Sequence, residues 1–167
     1  MTDVSWVNTY RTSASEIGWG SALTALTMVM HTYAMLGTLW VADAYEHLGE
    51  QRGILRRGIG VLLIASMLIV AAHALEVIAW AGFFSWKDCF PSLSTSYYYA
   101  LLQYTTVGSE LDLPDRWRLL GGMIAIAGLL TFAWSTTVLL TIAQKVQDAV
   151  LARGNARRKA RRDGAAG

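Results

Sequence analysis

Residues 85–118 read SWKDCFPSLSTSYYYALLQYTTVGSELDLPDRWR. They separate two long apolar runs, and they are too polar to cross a bilayer themselves. Pro91 followed by Ser92 and Ser94 is a helix-start signal. A short helix over 94–104 then carries four tyrosines, Tyr97, Tyr98, Tyr99 and Tyr104. It stops at Thr105-Thr106-Val107-Gly108, and Pro114 closes the excursion. A short helix ending in a Thr-Val-Gly loop between two spanning helices reads as a re-entrant loop. Irregular backbone at membrane depth survives only where protein buries it or where it lines a water-filled path.

On either side, residues 59–84 and 119–143 are each long and apolar enough to span, since a crossing takes about 20 such residues. Residues 21–42 form a third run, weaker because it is rich in threonine and holds His31. An interfacial helix is the alternative there, but the basic polar face of such helices is missing. Composition agrees with a membrane class. Hydrophobic residues are 54% and charged residues 16% of the chain, against about 45–50% and about 25% in soluble domains. The single Cys89 excludes an intrachain disulfide and a cysteine zinc cluster.

Charge sets the expected topology. The net charge of +2 hides a basic C-terminal stretch with Arg153, Arg157, Arg158, Lys159, Arg161 and Arg162. The positive-inside rule places that stretch in the cytoplasm, together with the linker carrying Arg52, Arg56 and Arg57. Three crossings with the N-terminus outside satisfy both. A cleaved signal peptide ending near Ala42-Asp43-Ala44 would put the basic tail outside. The residues before the run, Asp3, Arg11 and Glu16, also form no positive n-region. Trp80, Phe83, Phe84 and Trp86, with Trp117, read as an aromatic girdle at the outer surface.

Thr105-Thr106-Val107-Gly108 resembles the start of the selectivity filter of the tetrameric potassium-channel superfamily, whose pattern is TTVGYGD. The resemblance covers residues 59–143 and includes the order of outer helix, pore helix, filter and inner helix. It implies an all-α membrane protein, with three transmembrane helices, a re-entrant pore helix and a filter loop, assembled as a homotetramer around a central pore. Thr105, Thr106, Val107, Gly108 and Ser109 would be the ion-binding filter, where backbone carbonyl rings replace an ion's water shell. Gly108 permits the backbone angles this needs, and the negative end of the pore helix points at the cation path.

The chain departs from the pattern after Gly108. Ser109-Glu110-Leu111-Asp112 stands where the family has Tyr-Gly-Asp. Glu110 does not readily take the left-handed angles open to glycine, so the outer carbonyl rings are expected to be absent or rearranged. The cyclic-nucleotide-gated cation channels, with TIGET, also lack the second glycine. By that resemblance the pore passes Na+ and K+ alike. Two alternatives stand beside it: a K+-selective pore with an altered filter, and a non-conducting sensor or accessory scaffold. Glu110 either forms a ring of carboxylates at the pore mouth, with Asp112 in a wider ring, or pairs with Arg116 or Arg118.

Further candidates lie on the spanning helices. His73 and Glu76, at i and i+3, share a face and are a candidate pH-sensitive pair. The plainer reading hydrogen-bonds them to the pore helix, to a tyrosine for instance. The two alone do not make a metal site. Gly121, Gly122, Ala125 and Gly128 form a small-residue face for packing, and Gly128 is a candidate hinge. Thr131 and Ser135 are expected to line a cavity, with a hydrophobic gate near 138–142. No arginine ladder marks a voltage sensor, and the stretch after residue 143 is too short for a folded nucleotide- or calcium-binding domain.

The expected organisation is therefore residues 1–57 as an N-terminal segment, with a peripheral helix over 21–42 and a cytoplasmic linker. Residues 58–144 form the pore domain, with outer helix 59–84, pore helix 94–104, filter 105–110 and inner helix 119–143. Residues 145–167 are a basic cytoplasmic tail. The expected location is the inner (plasma) membrane, multi-pass. Expected partners are lipid, monovalent cations and other copies of the chain, with no nucleic acid. No nucleophile–base arrangement, phosphate loop or metal-ligand cluster suggests an enzyme. No cofactor is expected, and no metal beyond permeating K+ or Na+.

Overall fold

The computed structural model describes residues 12–48 and 54–164. Asp3, Arg11 and Arg52 lie outside the described residues, as do the side chains of Arg157, Lys159 and Arg162. The fold is all-α, in the order α1 (Ala14–Leu48), α2 (Ile54–Trp86), α3 (Leu93–Tyr104), a single 3₁₀ turn (Asp115–Trp117) and α4 (Leu120–Asp163). Three of these, α1, α2 and α4, are long and apolar enough to cross a membrane. The chain is a multi-pass membrane protein.

The spanning helices outrun their apolar cores. Helix α4 has 44 residues and runs on through the basic stretch to Asp163, because alanine, arginine, lysine and glutamine propagate a helix and no proline stops it. Helix α1 starts on a capping box. Ser13 Oγ accepts from the Glu16 N–H at 3.2 Å, and Glu16 Oε2 accepts from the Ser13 N–H at 3.4 Å. The other oxygen of Glu16 accepts from the Leu119 N–H. Leu119 immediately precedes α4, so one buried carboxylate serves the positive ends of two helices.

Helix α1 explains its own weak hydropathy. Its buried residues, Glu16, Gly20, Leu23, Thr27, His31, Met35, Thr38 and Ala42, recur every three or four positions. Ile17, Leu26, Val29, Tyr33, Leu36 and Trp40 are exposed. The polar groups thus face protein and the apolar ones face outward, as lipid requires. Thr27 and Thr38 donate to the carbonyls of Leu23 and Ala34 at 2.9 and 2.8 Å, so neither hydroxyl is stranded.

By contacts the described residues divide into two units, residues 12–30 with 74–131, and residues 31–48 and 54–73 with 132–164. The first is centred on Trp80, Phe84, Tyr99, Tyr104, Trp117 and Leu120, with Ala100, Ile124 and Ala127 between them. Trp80 donates its indole N–H to Thr27 Oγ1 at 2.9 Å. Most of the expected girdle is therefore core: Trp80, Phe83, Phe84 and Trp117 are buried among α1, α2, α3 and the start of α4. Trp86 is the exception, 61% exposed. Lys87 sits over its ring at 3.5 Å and over that of Trp19 at 5.1 Å, a cation–π cluster suited to a headgroup layer. The second unit packs Met35 and Ala42 with Val61, Ala65, Ile69, Ala72, Val138 and Ile142.

Candidate functional site

Helix α3 begins where Pro91-Ser92 signals it. Ser92 is the N-cap, and its hydroxyl accepts from the Thr95 N–H at 3.1 Å. Ser96, Tyr99, Ala100 and Tyr104 face inward, while Leu93, Tyr98 and Leu101 are exposed. Tyr99 is held between Phe84 and Phe90, with ring centroids 5.5 and 4.8 Å away.

The far end of α3 reaches deep along its neighbours. The Tyr104 hydroxyl donates to Glu76 Oε2 and lies 2.6 Å from the Thr131 hydroxyl. Glu76 precedes Trp86, the end of α2, by ten residues, about 15 Å of helix. Gly128 of α4 packs against the Tyr104 backbone. A Cβ there would stand 2.0 Å from the Tyr104 carbonyl oxygen, so only glycine lets α4 pass the end of α3. Gly121, on the same face, lies under the Tyr99 hydroxyl, which a Cβ would meet at 2.8 Å. Close packing is the visible use of this small-residue face.

The segment after α3 is capped in a defined way. The Thr106 N–H donates to Gln103 O and the Val107 N–H to Leu102 O, each at 3.0 Å. Thr106 takes a left-handed φ of 61°. This is a Schellman cap with threonine at the position usually held by glycine. A β-branched residue at positive φ is strained, by an amount on the order of 1–3 kcal/mol. Gly108 also has positive φ, 82°, and its N–H joins that of Val107 on Leu102 O at 3.2 Å. The N–H groups of residues 105–108 are thus all folded back onto the end of α3.

Residues 106–108 carry these turns without cover from their own chain. Val107 is 72% exposed, and Thr106, Gly108 and Glu110 are exposed too. Ser109 Oγ accepts from the Leu111 N–H at 3.0 Å, which shapes the return. Leu113 and Trp117 anchor the chain again in the core. Beside this return an open cavity of about 330 Å³ is lined by Tyr99, Gln103, Asp112, Arg118, Gly122 and Ala125, among others.

The carboxylates sort themselves. Arg118 meets Asp115 at 3.9 Å, and the Arg116 guanidinium lies over Trp117 at 5.1 Å. Glu110 has no ion pair among the described residues, so its pairing with Arg116 or Arg118 is not found. Asp112 is exposed. Outside the helices, burial pushes the Cys89 thiol up to about 11, with the neighbouring Asp88 adding to the rise.

His73 and Glu76 divide their attention. Glu76 meets Tyr104 on α3, as the plainer reading of that residue expects. His73 Nε2 instead lies 3.1 Å from the Ser135 hydroxyl, and the ring stacks on His31 at 5.3 Å. One expectation is corrected. Thr131 and Ser135 are buried in the packing of their own chain rather than lining a cavity. Within the expected gate region, Val138 and Ile142 belong to a hydrophobic core and Leu140 is exposed. Hydropathy is blind to rotation about the helix axis, so it does not say which way these side chains face.

Thr105 to Ser109, Glu110 and Asp112 therefore lie on one continuous excursion, supported from behind by Tyr104, Glu76, Thr131 and Gly128. Sequence reasoning missed Thr131 as a partner of Tyr104. It also missed His31 and Ser135 as partners of His73. The available signal was the placement of hydroxyls and imidazoles on the buried stripes of apolar helices. No known family model, curated protein or solved structure matches the chain.

Proposed function

We propose that the chain is one subunit of a homotetrameric cation channel of the potassium-channel type, weakly selective between K+ and Na+. The observation that carries this is the exposed 106–108 turn, held at the end of a short helix whose last residue bonds to Glu76 within the α2 span and packs on Gly128 within the α4 span. Backbone of that kind is costly against lipid and is tolerated where it faces protein or a water-filled path. One chain leaves it uncovered, and several copies around an axis would enclose it. The cavity lined by Gly122 and Ala125 would be filled by the neighbouring copy.

In this reading the 105–109 carbonyls bind permeating ions, and α3 directs its negative end at them. Thr106 and Gly108 both turn left-handed, with Val107 between them, which supports an irregular backbone built for ligation. With Glu110 where the family pattern has a second glycine, fewer carbonyl rings remain and discrimination falls. Glu110, exposed and free of ion pairs among the described residues, supplies a ring of negative charge at the mouth. The N-terminus lies outside and the basic C-terminal end of α4 in the cytoplasm. The role is passive transport, without a cofactor or a catalytic group.

Purified protein in liposomes tests this through uptake of radioactive Rb+ and Na+ down a concentration gradient. Uptake of both ions, lost on Gly108→Leu, is the expected result. Uptake no faster than in empty liposomes would leave a non-conducting scaffold as the better account.

A further inference from the structure

The fold sets a second imidazole beside His73. His31 of α1 stacks on His73 of α2 with ring centroids 5.3 Å apart. Both Nε2 atoms aim at the Ser135 hydroxyl of α4, at 3.2 Å from His31 and 3.1 Å from His73. His31 is fully buried. A ring nitrogen of each histidine lies within 4.8 Å of one on the other.

We propose that His31 and His73 form a binding site for a late d-block divalent cation of the Zn2+ class. Two nitrogens sharing one tetrahedral Zn2+ shell, with Zn–N near 2.0–2.1 Å, stand about 3.4 Å apart. The ring nitrogens already lie within 4.8 Å, so closing to that spacing takes a relative shift of up to about 1.4 Å. Each imidazole binds neutral, through Nε2, with its remaining proton on Nδ1. The Ser135 oxygen, now between the two nitrogens, becomes a weak third ligand or gives way to water. Glu76 follows His73 by one turn of α2, so its carboxylate is on the same helical face. Imidazole donors suit Zn2+, Co2+, Ni2+ and Cu2+, and disfavour Mg2+ and Ca2+, which prefer oxygen. Binding ties α1 to α2. The site stands whether or not the chain conducts ions.

The test uses tag-free, full-length protein with Co2+ as probe, followed by Zn2+ displacement. One Co2+ per chain is expected, with the intense visible absorption of low-coordinate nitrogen ligation. His31→Ala and His73→Ala each weaken binding by about 100-fold or more. X-ray absorption of the Zn2+-loaded wild type serves where a variant fails to fold, and two imidazoles in the shell are expected. Unaltered affinity in His31→Ala, or a wild-type shell without imidazole, overturns the proposal.

Discussion

The Tyr104 hydroxyl donates to the Glu76 carboxylate. This bond joins the last residue of α3 to α2, ten residues before the end of that helix. An intramolecular hydrogen bond contributes about 0.5–1.5 kcal/mol net. Tyr104→Phe should therefore lower the unfolding free energy of the detergent-solubilised protein by an amount in that range. Adding Glu76→Gln should cost less in the Tyr104→Phe background than in the wild type, because the pair is coupled. Additive losses in the double-mutant cycle would mean that the two side chains act separately.

Gly128 and Gly122 make a matched pair for a packing test. An added Cβ at Gly128 runs into the Tyr104 backbone carbonyl, whereas at Gly122 it meets nothing within 4 Å. Gly128→Ala should destabilise by about 1–3 kcal/mol, since backbone must move. Gly122→Ala in the isolated chain should be neutral, or stabilising by up to about 1 kcal/mol through helix propensity. Equal melting temperatures for the two variants would contradict the close approach.

Thr106 occupies a capping position that favours glycine, at φ 61°. Thr106→Gly should release strain and raise stability by about 1 kcal/mol, less what glycine loses in chain entropy. A drop in the thermal midpoint would show that the threonine side chain contributes more than its backbone costs.

Cys89 should alkylate slowly at neutral pH. Its thiol is pushed up to about 11 from an ordinary 9.0, chiefly by burial, so less thiolate is present at any pH below that. Reaction with iodoacetamide should rise about tenfold per pH unit and continue rising past pH 9. A plateau near pH 9 would place the thiol in water rather than half-buried against the aromatic core of Phe84 and Tyr99.

Much of the fold is legible in the sequence because apolar length and cap chemistry are local. Pro91-Ser92 marks α3 to within a residue, and the three apolar runs mark the three spans. The extent of α4 is not legible, since the bilayer sets the apolar length while propensity carries the helix onward. Trp80 and Phe84 look like a girdle in the sequence because headgroup belts and aromatic cores draw on the same residues; only α3 packed against them tells the difference. The Tyr104–Glu76 bond is half legible, from the need of a buried carboxylate for a donor. The His31–Ser135–His73 arrangement joins residues far apart in the chain, and no pattern in one helix registers the other two.

Weak selectivity is open to measurement as the reversal potential across a planar bilayer containing the purified protein, with K+ on one side and Na+ on the other at equal concentration. A current reversing near zero is expected, shifted toward K+ selectivity when Ser109→Tyr and Glu110→Gly are made together. A wild-type reversal far toward the K+ equilibrium potential would contradict the proposed function, because four chains lacking the second glycine would then still select K+.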